Sequence, residues 1–422
     1  MTLGVIELND QSLLIQAEDE TRYSEPGYAR LTDNGIVTGE DARDHAWLDP
    51  LHIHNQYWCH LNQTPLAHNH KFARHHGDIA FAQLRKLWTE AGSPDELVLL
   101  APGNFTRAEL SLLLGLVDAL PSKALAVIDS ALAACLDIDR NTIFVDLHLH
   151  ETVVVVCGPD GKKVRILDEE IFPGIGMGQI HNSVARHISD TLIESYRFDP
   201  LHASRTEQSI YNQIPHWLTR LGWEQDVSIT LESEKGELPC ILKRDAIKLI
   251  IQERLTSLYP FMDEWPECNI VLAHNSGVLT GLVDEFSAAR VARHTAGTRR
   301  VLERRSEILG SIDDLYRVRE LSSQAEIRKP EMPNGDDSLA THLLCGDVAM
   351  PVDKPVSISL SDDGPTLANV LDPSSALTIV RRSQHLETLH CATDVNVPRN
   401  CLPGNLIEVA GHKLRLIRVS GG

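Results

Sequence analysis

The stretch ELVLLAPGNFTRAELSLLLGLVDALPSKALAVIDSALAACL, residues 96–136, decides the fold class of this chain. Its first six residues are a short apolar run that predicts a strand, and a Pro-Gly pair ends it. Residues 106–120 then repeat their leucines with the period of a helix, which stops at Pro121. A second apolar run at residues 124–128 predicts another strand, and another helix starts at Ser130. This order of strand, helix, strand and helix is typical of an α/β domain.

Hairpins and further helices flank this stretch on both sides. We predict hairpins at residues 2–16 and 142–157, long helices at 178–197 and 204–220, a strand at 269–273 and a helix at 278–290. Meanders that alternate with crossover helices are typical of mixed sheets. The sequence therefore predicts an α/β fold with mixed sheets for the first three-quarters of the chain.

The chain changes character after this region. Residues 322–338 are polar and contain prolines, which predicts a linker. Residues 339–422 have no helical period, and their short apolar runs alternate with Asp-Asp-Gly, Asp-Pro-Ser and Leu-Pro-Gly turns. That pattern predicts a small all-β sandwich. We therefore divide the chain into a domain at 1–321, the linker and a C-terminal β module.

The composition limits the classes of partner. The 422 residues carry a formal net charge of −20, so we expect no broad contact with nucleic acid. A nucleotide is not excluded, because local backbone amides and a metal ion can meet its phosphates. No run of about 18 apolar residues occurs, so we expect no insertion into a membrane. The eight cysteines form no CxxC pair and the N-terminus has no signal-peptide pattern, so we expect a cytoplasmic protein.

Several segments in residues 3–315 resemble, in colinear order, the heat-shock chaperone branch of the actin-like ATPase superfamily. Asn34–Arg43 is similar to the family's Val-Gly-x-x-Ala turn, and Ala101–Phe105 is similar to its Val-Pro-Ala-x-Phe segment. Residues 126–136 are similar to its Ile-Asn-Glu-Pro-x-Ala-Ala-Ala-Leu segment. The resemblance implies two lobes of ribonuclease-H-like mixed sheets with helices, and ATP or ADP with magnesium as the cofactor.

The two loops that clamp phosphates in that family are altered here. The first, Glu7–Ser12, corresponds to Asp-x-Gly-x-Thr but has no glycine. The second, Asp146–Thr152, corresponds to Asp-x-Gly-Gly-Gly-Thr, with His148, Leu149 and His150 at the glycine positions. Glycine lets the backbone approach a phosphate, whereas these three side chains would fill that space. We therefore expect a pseudo-ATPase that binds nucleotide weakly or not at all.

The resemblance also assigns candidate site residues. The candidate catalytic residues are Glu7, Asp129 and Asp146. The candidate nucleotide-binding residues are Asn9, Asp10, His148, His150, Gly174, Gly176, Gly178, His274, Asn275 and Gly277. Two interpretations stay open for the Gly174–Gly178 loop, nucleotide contact or a tight turn. Asp146 is either a contact of magnesium-bound water or a cap at the end of a strand.

Two metal-based alternatives come from the histidines. His148 and His150 have the His-x-His spacing of metal-dependent amidohydrolases, and on a strand both rings would point to the same side. However, the chain lacks the eight βα units of such a barrel. The histidine-rich segment at residues 52–76 either binds a transition metal or is a polar loop.

The C-terminal module faintly resembles a forkhead-associated domain, mainly at residues 405–419. Arg382-Ser-Gln-His385 is the only counterpart of that family's phosphothreonine-reading residues. The other interpretation is a generic β-sandwich for protein contacts. Together these observations favour a chaperone-like, actin-fold pseudo-ATPase with a protein partner. The alternatives are an active but divergent ATPase, a metal-dependent hydrolase that uses His148 and His150, and a purely structural interaction protein.

Overall fold

The structure is a computed structural model. It describes residues 2–18, 21–68, 70–233, 236–277, 279, 281–286, 289–293, 295–303, 317–322, 339–345, 348–361, 364–372, 374–382, 385–391, 395–398, 401, 403–409 and 412–419. The chain divides into two compact units, residues 1–327 and 328–422. No helix in the described residues is long and apolar enough to cross a membrane.

The N-terminal unit contains the helices and mixed sheets. Its first part consists of β1 (Leu3–Glu7), β2 (Leu13–Ala17), β3 (Arg22–Glu25), β4 (Ala29–Thr32), β5 (Gly35–Thr38), α1 (Glu40–Arg43), β6 (Ile53–His54), α2 (His76–Glu90), β7 (Glu96–Ala101), α3 (Arg107–Asp118), β8 (Lys123–Asp129) and α4 (Ser130–Ala134). Its second part consists of β9 (Thr142–Leu147), β10 (Glu151–Asp160), β11 (Lys163–Pro173), α5 (Met177–Tyr196), α6 (Ser204–Leu221), β12 (Asp226–Ser233), β13 (Gly236–Lys243), α7 (Arg244–Leu255), α8 (Tyr259–Asp263), β14 (Asn269–Leu272), α9 (His274–Gly277), α10 (Leu282–Glu285) and β15 (Arg290–Val291). The chain then continues through α11 (Ala296–Glu303), β16 (Arg317–Val318) and β17 (Glu320–Ser322).

Two six-stranded sheets share the same central arrangement of strands. The first sheet has the order β16-β8-β7-β1-β2-β3, and the second has the order β15-β14-β9-β10-β11-β17. In each sheet an antiparallel three-stranded meander begins with a central strand, β1 or β9. Parallel strands extend the sheet on the other side of that central strand. A small three-stranded sheet, β5-β4-β6, follows β3 in the chain. We call the first sheet with this small sheet and its helices the first lobe, and the second sheet with its helices the second lobe.

The apolar residues form layers on both sides of each sheet. One core lies between the first sheet and helices α2 and α3, and another lies between the second sheet and helices α5, α6 and α7. A third core contains residues of both sheets together with α4. Because β9 and β10 are covered on both faces, their sequence is a nearly continuous apolar run.

Most predicted helices are confirmed, with one exception. The helix predicted at 106–120 is α3, whose Thr106 and Glu109 form a capping box, and the two long helices are α5 and α6. The helix predicted at 278–290 is wrong: in that range the described helix is only α10. Gly281 precedes α10 with a φ of +82°, which is the left-handed conformation and interrupts a helix.

The C-terminal unit is built from strands in its described residues. They are β18 (His342–Cys345), β19 (Val348–Pro351), β20 (Val356–Ser361), β21 (Gly364–Ala368), β22 (Leu377–Arg382), β23 (His385–Cys391), β24 (Val395–Asn396), β25 (Leu406–Val409) and β26 (His412–Ile417). They form two sheets, β19-β18-β26-β25-β24 and β21-β20-β22-β23, whose paired neighbours are antiparallel. One hydrophobic core takes residues from both sheets. The predicted linker begins on Ser322, the last residue of β17, and its other residues lie outside the described ones.

Candidate functional site

Two equivalent turns of the repeated sheets meet face to face. Residues 8–12 connect β1 to β2 in the first lobe, and residues 148–150 connect β9 to β10 in the second. Four hydrogen bonds between the lobes lie at these turns. They run from Asn9 Nδ2 to Asp146 Oδ1 (2.8 Å) and to the Leu147 carbonyl (3.1 Å), from Gln11 Nε2 to the Leu147 carbonyl (2.7 Å), and from the Leu149 amide to Asp10 Oδ1 (2.6 Å). We call Asn9, Asp10, Gln11, Asp146 and His148 the clasp.

His148 lies at the centre of the clasp, and its residue exposure is 2%. Its Nδ1 is 3.5 Å from Asp10 Oδ1, and its Nε2 is 3.3 Å from Asp146 Oδ2. Burial lowers the pKa of His148, but the carboxylates of Asp146 and Asp10 outweigh burial and raise it from 6.5 to about 10. At neutral pH the ring is therefore a buried imidazolium between one carboxylate of each lobe.

Glu7 ends β1 directly beside the clasp. Burial raises its pKa from 4.5 to about 8, and the negative charge of Asp146 adds to this, whereas the charge of His148 opposes it. At neutral pH Glu7 is therefore mainly a neutral carboxylic acid. The cavity next to it is lined by Glu7, Asn9, Asp146, His274 and Asn275, among others, and has a volume of about 20 Å³. That volume has room for about one water molecule, not for a phosphate chain.

The glycine-rich loop before α5 packs against the second turn. The amides of Gly174, Met177 and Gly178 donate to the carbonyls of His150, His148 and Leu149 at 3.0, 2.8 and 2.9 Å. A Cβ atom on Gly176 would lie 2.6 Å from backbone atoms of Glu151, His150 and Leu149. These glycines therefore bring two segments of protein backbone together. These contacts support the tight-turn interpretation, because the three amides already have acceptors.

Replacing Gly176 with alanine should therefore loosen the second turn. We expect the free energy of unfolding of the N-terminal unit to fall by about 1–3 kcal/mol, because the added methyl group has no space. The matched control is Gly115→Ala in α3, where a Cβ meets nothing within 4 Å. That change should stabilise by up to about 1 kcal/mol through helix propensity. Urea unfolding measures both, and equal effects of the two substitutions would contradict the tight packing.

The other candidate residues have identifiable places. Asp129 caps α4, since its Oδ1 accepts from the Ala131 amide at 3.0 Å, and it is not part of the described lining of either cavity beside the clasp. His274 and Asn275 line the 20 Å³ cavity. Gly277 packs α9 against Val291, where a Cβ would overlap with that side chain. The candidate catalytic residues Glu7 and Asp146 thus lie together, whereas Asp129 caps a helix away from them.

The expectation that three side chains of the second turn fill one space is wrong in part. Only His148 lies between the carboxylates of the clasp. Leu149 packs with Tyr28 in a small apolar cluster, and His150 Nε2 is 2.8 Å from the carbonyl of Asn55.

The metal interpretation required both histidines on a strand, but both lie in the turn after β9. Their rings contact different groups, so the His-x-His pair does not converge. In the histidine-rich segment, His52 contacts Asp49, His75 caps α2 and His76 contacts the His60 carbonyl. Among the described residues, no group of three or more His, Cys, Asp or Glu could hold a metal ion.

A second contact between the lobes was not predicted from the sequence. The ring of Trp47 stacks on the ring of Tyr211 in α6, with centroids 3.6 Å apart and an angle of 16°. Gln208 of α6 accepts from the Trp47 amide at 2.8 Å and donates to the Arg43 carbonyl at 3.0 Å. We call Trp47, Gln208 and Tyr211 the bridge. Ser276 was also missed: its hydroxyl accepts from the Leu147 amide at 2.8 Å.

A larger cavity is lined by residues of both the clasp and the bridge. Its volume is about 300 Å³. The first lobe contributes Glu25, Tyr28, Glu40 and Arg43, and the second lobe contributes Met177, His181, Asn212 and Leu218, among others. The lobes therefore enclose a space of small-molecule size even though their turns are bonded together.

No protein-family model matches the chain, and no curated protein matches it. We therefore infer the function from the residues and their contacts.

Proposed function

We propose that this chain is a chaperone-like, actin-fold pseudo-ATPase that acts through contacts with another protein. The observation that carries the proposal is the clasp: Asn9 bonds directly to the end of β9, and Asp10 bonds directly to the turn that follows it. In an ATPase of this fold the two turns bind phosphate groups between them. Here they bind each other.

The assignment to the actin-like fold is supported by the repeated sheet order. Each lobe has a meander that starts from a central strand and continues into parallel strands. The turns after β1 and β9 occupy the same position in the two sheets and face each other. This arrangement agrees with the colinear resemblance of residues 3–315 to the heat-shock chaperone branch.

ATP or ADP with magnesium does not fit the residues of the clasp. Phosphate binding requires free backbone amides and glycine. The amide of Leu149 donates to Asp10, and the amide of His148 donates to the Glu151 carbonyl at 2.8 Å. The Asp10 and Asp146 carboxylates are held by His148, and their negative charge repels a phosphate. We therefore derive no hydrolytic step for this site.

The fixed arrangement of the two lobes supports a function through binding to another protein. Clasp and bridge fix the lobes relative to each other, so the surface offered to a partner is constant. The C-terminal β unit is the proposed contact module. Its Arg382 makes an ion pair with Glu387 at 2.8 Å, and the residues between Arg382 and His385 lie outside the described ones. The forkhead-associated interpretation stays a prediction.

An assay of phosphate release from ATP by the full chain with magnesium tests this proposal. We expect release no faster than in the protein-free blank, and the same result for Asp146→Ala. Steady release by the wild-type chain that Asp146→Ala abolishes would contradict the pseudo-ATPase and support the active, divergent ATPase. Release that persists in Asp146→Ala would indicate a contaminating enzyme.

A further inference from the structure

The 300 Å³ cavity between the lobes is lined by both polar and apolar side chains. Its lining includes Arg43, the ion-pair partner Glu40 and His181, whose ring lies within the electrostatic influence of Arg43, and we call these three residues the polar corner. The apolar lining includes Met177 and Leu218. Such a combination of a few polar groups with apolar surface is typical of small-molecule sites.

The polar corner presents a donor group and an acceptor group side by side. Arg43 Nη2 makes an ion pair with Glu40, and the side chains are 32% and 57% exposed. The Nε of Arg43 is buried and has no hydrogen-bond partner among the described residues. Glu40 and Arg43 are therefore accessible enough to exchange their mutual contact for contacts with a ligand.

His181 supplies a neutral hydrogen-bonding group next to Arg43. Burial lowers its pKa to about 4, and the charge of Arg43 adds to this. At neutral pH one ring nitrogen is a donor and the other an acceptor. Within the described part of the chain, neither nitrogen has a hydrogen-bond partner. A ligand with an acceptor group would satisfy the donor.

We propose that this cavity binds a free α-amino acid with an apolar side chain. Its carboxylate accepts hydrogen bonds from Arg43 and His181, and its ammonium group donates to Glu40. Its side chain packs against Met177 and Leu218. This site goes beyond the pseudo-ATPase function and does not depend on it.

Charge favours a zwitterion over a simple anion or cation. Glu40 already neutralises Arg43, so a carboxylate alone would add an unbalanced negative charge to a chain with a formal net charge of −20. An amine alone would take Glu40 and leave Arg43 with only the longer ion pair to Asp44, at 3.8 Å. An amino acid brings both charges and leaves the local balance unchanged.

Isothermal titration of the full chain with leucine, methionine and phenylalanine tests the proposal. We expect saturable one-to-one binding of at least one of them. For leucine, the matched analogues are 4-methylpentanoate, which lacks the ammonium group, and 3-methylbutylamine, which lacks the carboxylate. Each analogue should bind at least about tenfold more weakly. No saturable binding of any of the three amino acids, or analogues as strong as the parent, would overturn the proposal.

Two substitutions give opposite results if the assignment is right. Glu40→Gln should weaken amino-acid binding at least about tenfold and strengthen binding of the carboxylate analogue, because Arg43 loses its competing partner. Arg43→Gln should also weaken the amino acid but strengthen the amine analogue. Arg205→Gln, at an exposed position in α6, is the control and should change nothing. A gain in affinity for an analogue requires a folded protein, so misfolding cannot produce it. Unchanged affinities in both variants would overturn the proposal.

Discussion

Replacing His148 with alanine is expected to lower the free energy of unfolding of the N-terminal unit by about 3–5 kcal/mol. The imidazolium lies between Asp10 and Asp146, and the side chains of all three are at most 5% exposed. Without the ring, two buried carboxylates face each other with no counter-ion. Removing one partner of a buried ion pair costs much more than losing an exposed one.

Tryptophan fluorescence during urea unfolding measures this effect. All six tryptophans lie between residues 47 and 265, so the signal reports on the N-terminal unit alone. His150→Ala is the matched control, since this histidine belongs to the same turn and its Nε2 is 2.8 Å from the Asn55 carbonyl. We expect a loss of at most about 1.5 kcal/mol there. Equal losses in the two variants would contradict a stabilising positive charge on His148.

The stability of the N-terminal unit should also fall as the pH rises from about 5 to 10. The pKa of Glu7 rises on folding from 4.5 to about 8, and that of His148 rises from 6.5 to about 10. The folded state therefore binds an extra proton at Glu7 between about pH 4.5 and 8, and at His148 between about pH 6.5 and 10. The free energy of unfolding therefore falls with pH, by up to about 1.4 kcal/mol per pH unit for each retained proton. The contribution of His148 is fully present below pH 6.5 and is lost above pH 10.

The variant Glu7→Gln distinguishes the contribution of Glu7 to this pH dependence from that of His148. Glutamine imitates the neutral acid, so the variant should match the wild type near pH 4.5, become steadily more stable than the wild type as the pH rises to about 8, and keep that advantage above pH 8. Between those pH values the folded wild type retains a proton on Glu7 that the unfolded chain releases. Glu90→Gln, at the exposed end of α2, is the control and should follow the wild-type profile. Urea unfolding at intervals of one pH unit gives the curves, and a wild-type profile that is flat from pH 6 to 9 contradicts the charges assigned to the clasp.

The local pattern of the sequence was sufficient to predict most helices and strands. Apolar runs and the cap at Thr106 specify α3 and its neighbouring strands, because those signals act within a few residues. The predicted helix at 278–290 was wrong because its leucines have helical spacing, whereas Gly281 adopts a backbone conformation that ends the pattern. The periodicity of apolar residues does not indicate whether a glycine adopts that conformation.

The chemistry of the site depended on contacts between distant residues. The sequence indicated that the two turns had lost their glycines, but Asn9 and Asp146 are 137 residues apart. Nothing local shows that their side chains meet, or that His148 becomes charged between two carboxylates. Trp47 and Gln208 are 161 residues apart, so the bridge was missed for the same reason. The direction of the His150 ring was also decided by a distant carbonyl, that of Asn55.

Isothermal titration of the full chain with ATP and with ADP, each in the presence of magnesium, tests the central claim most directly. The clasp occupies the position where phosphates would bind, and three glycine-loop amides donate to protein carbonyls. We therefore expect no saturable heat for either nucleotide. Stoichiometric binding with a Kd of about 1 μM or tighter would contradict it.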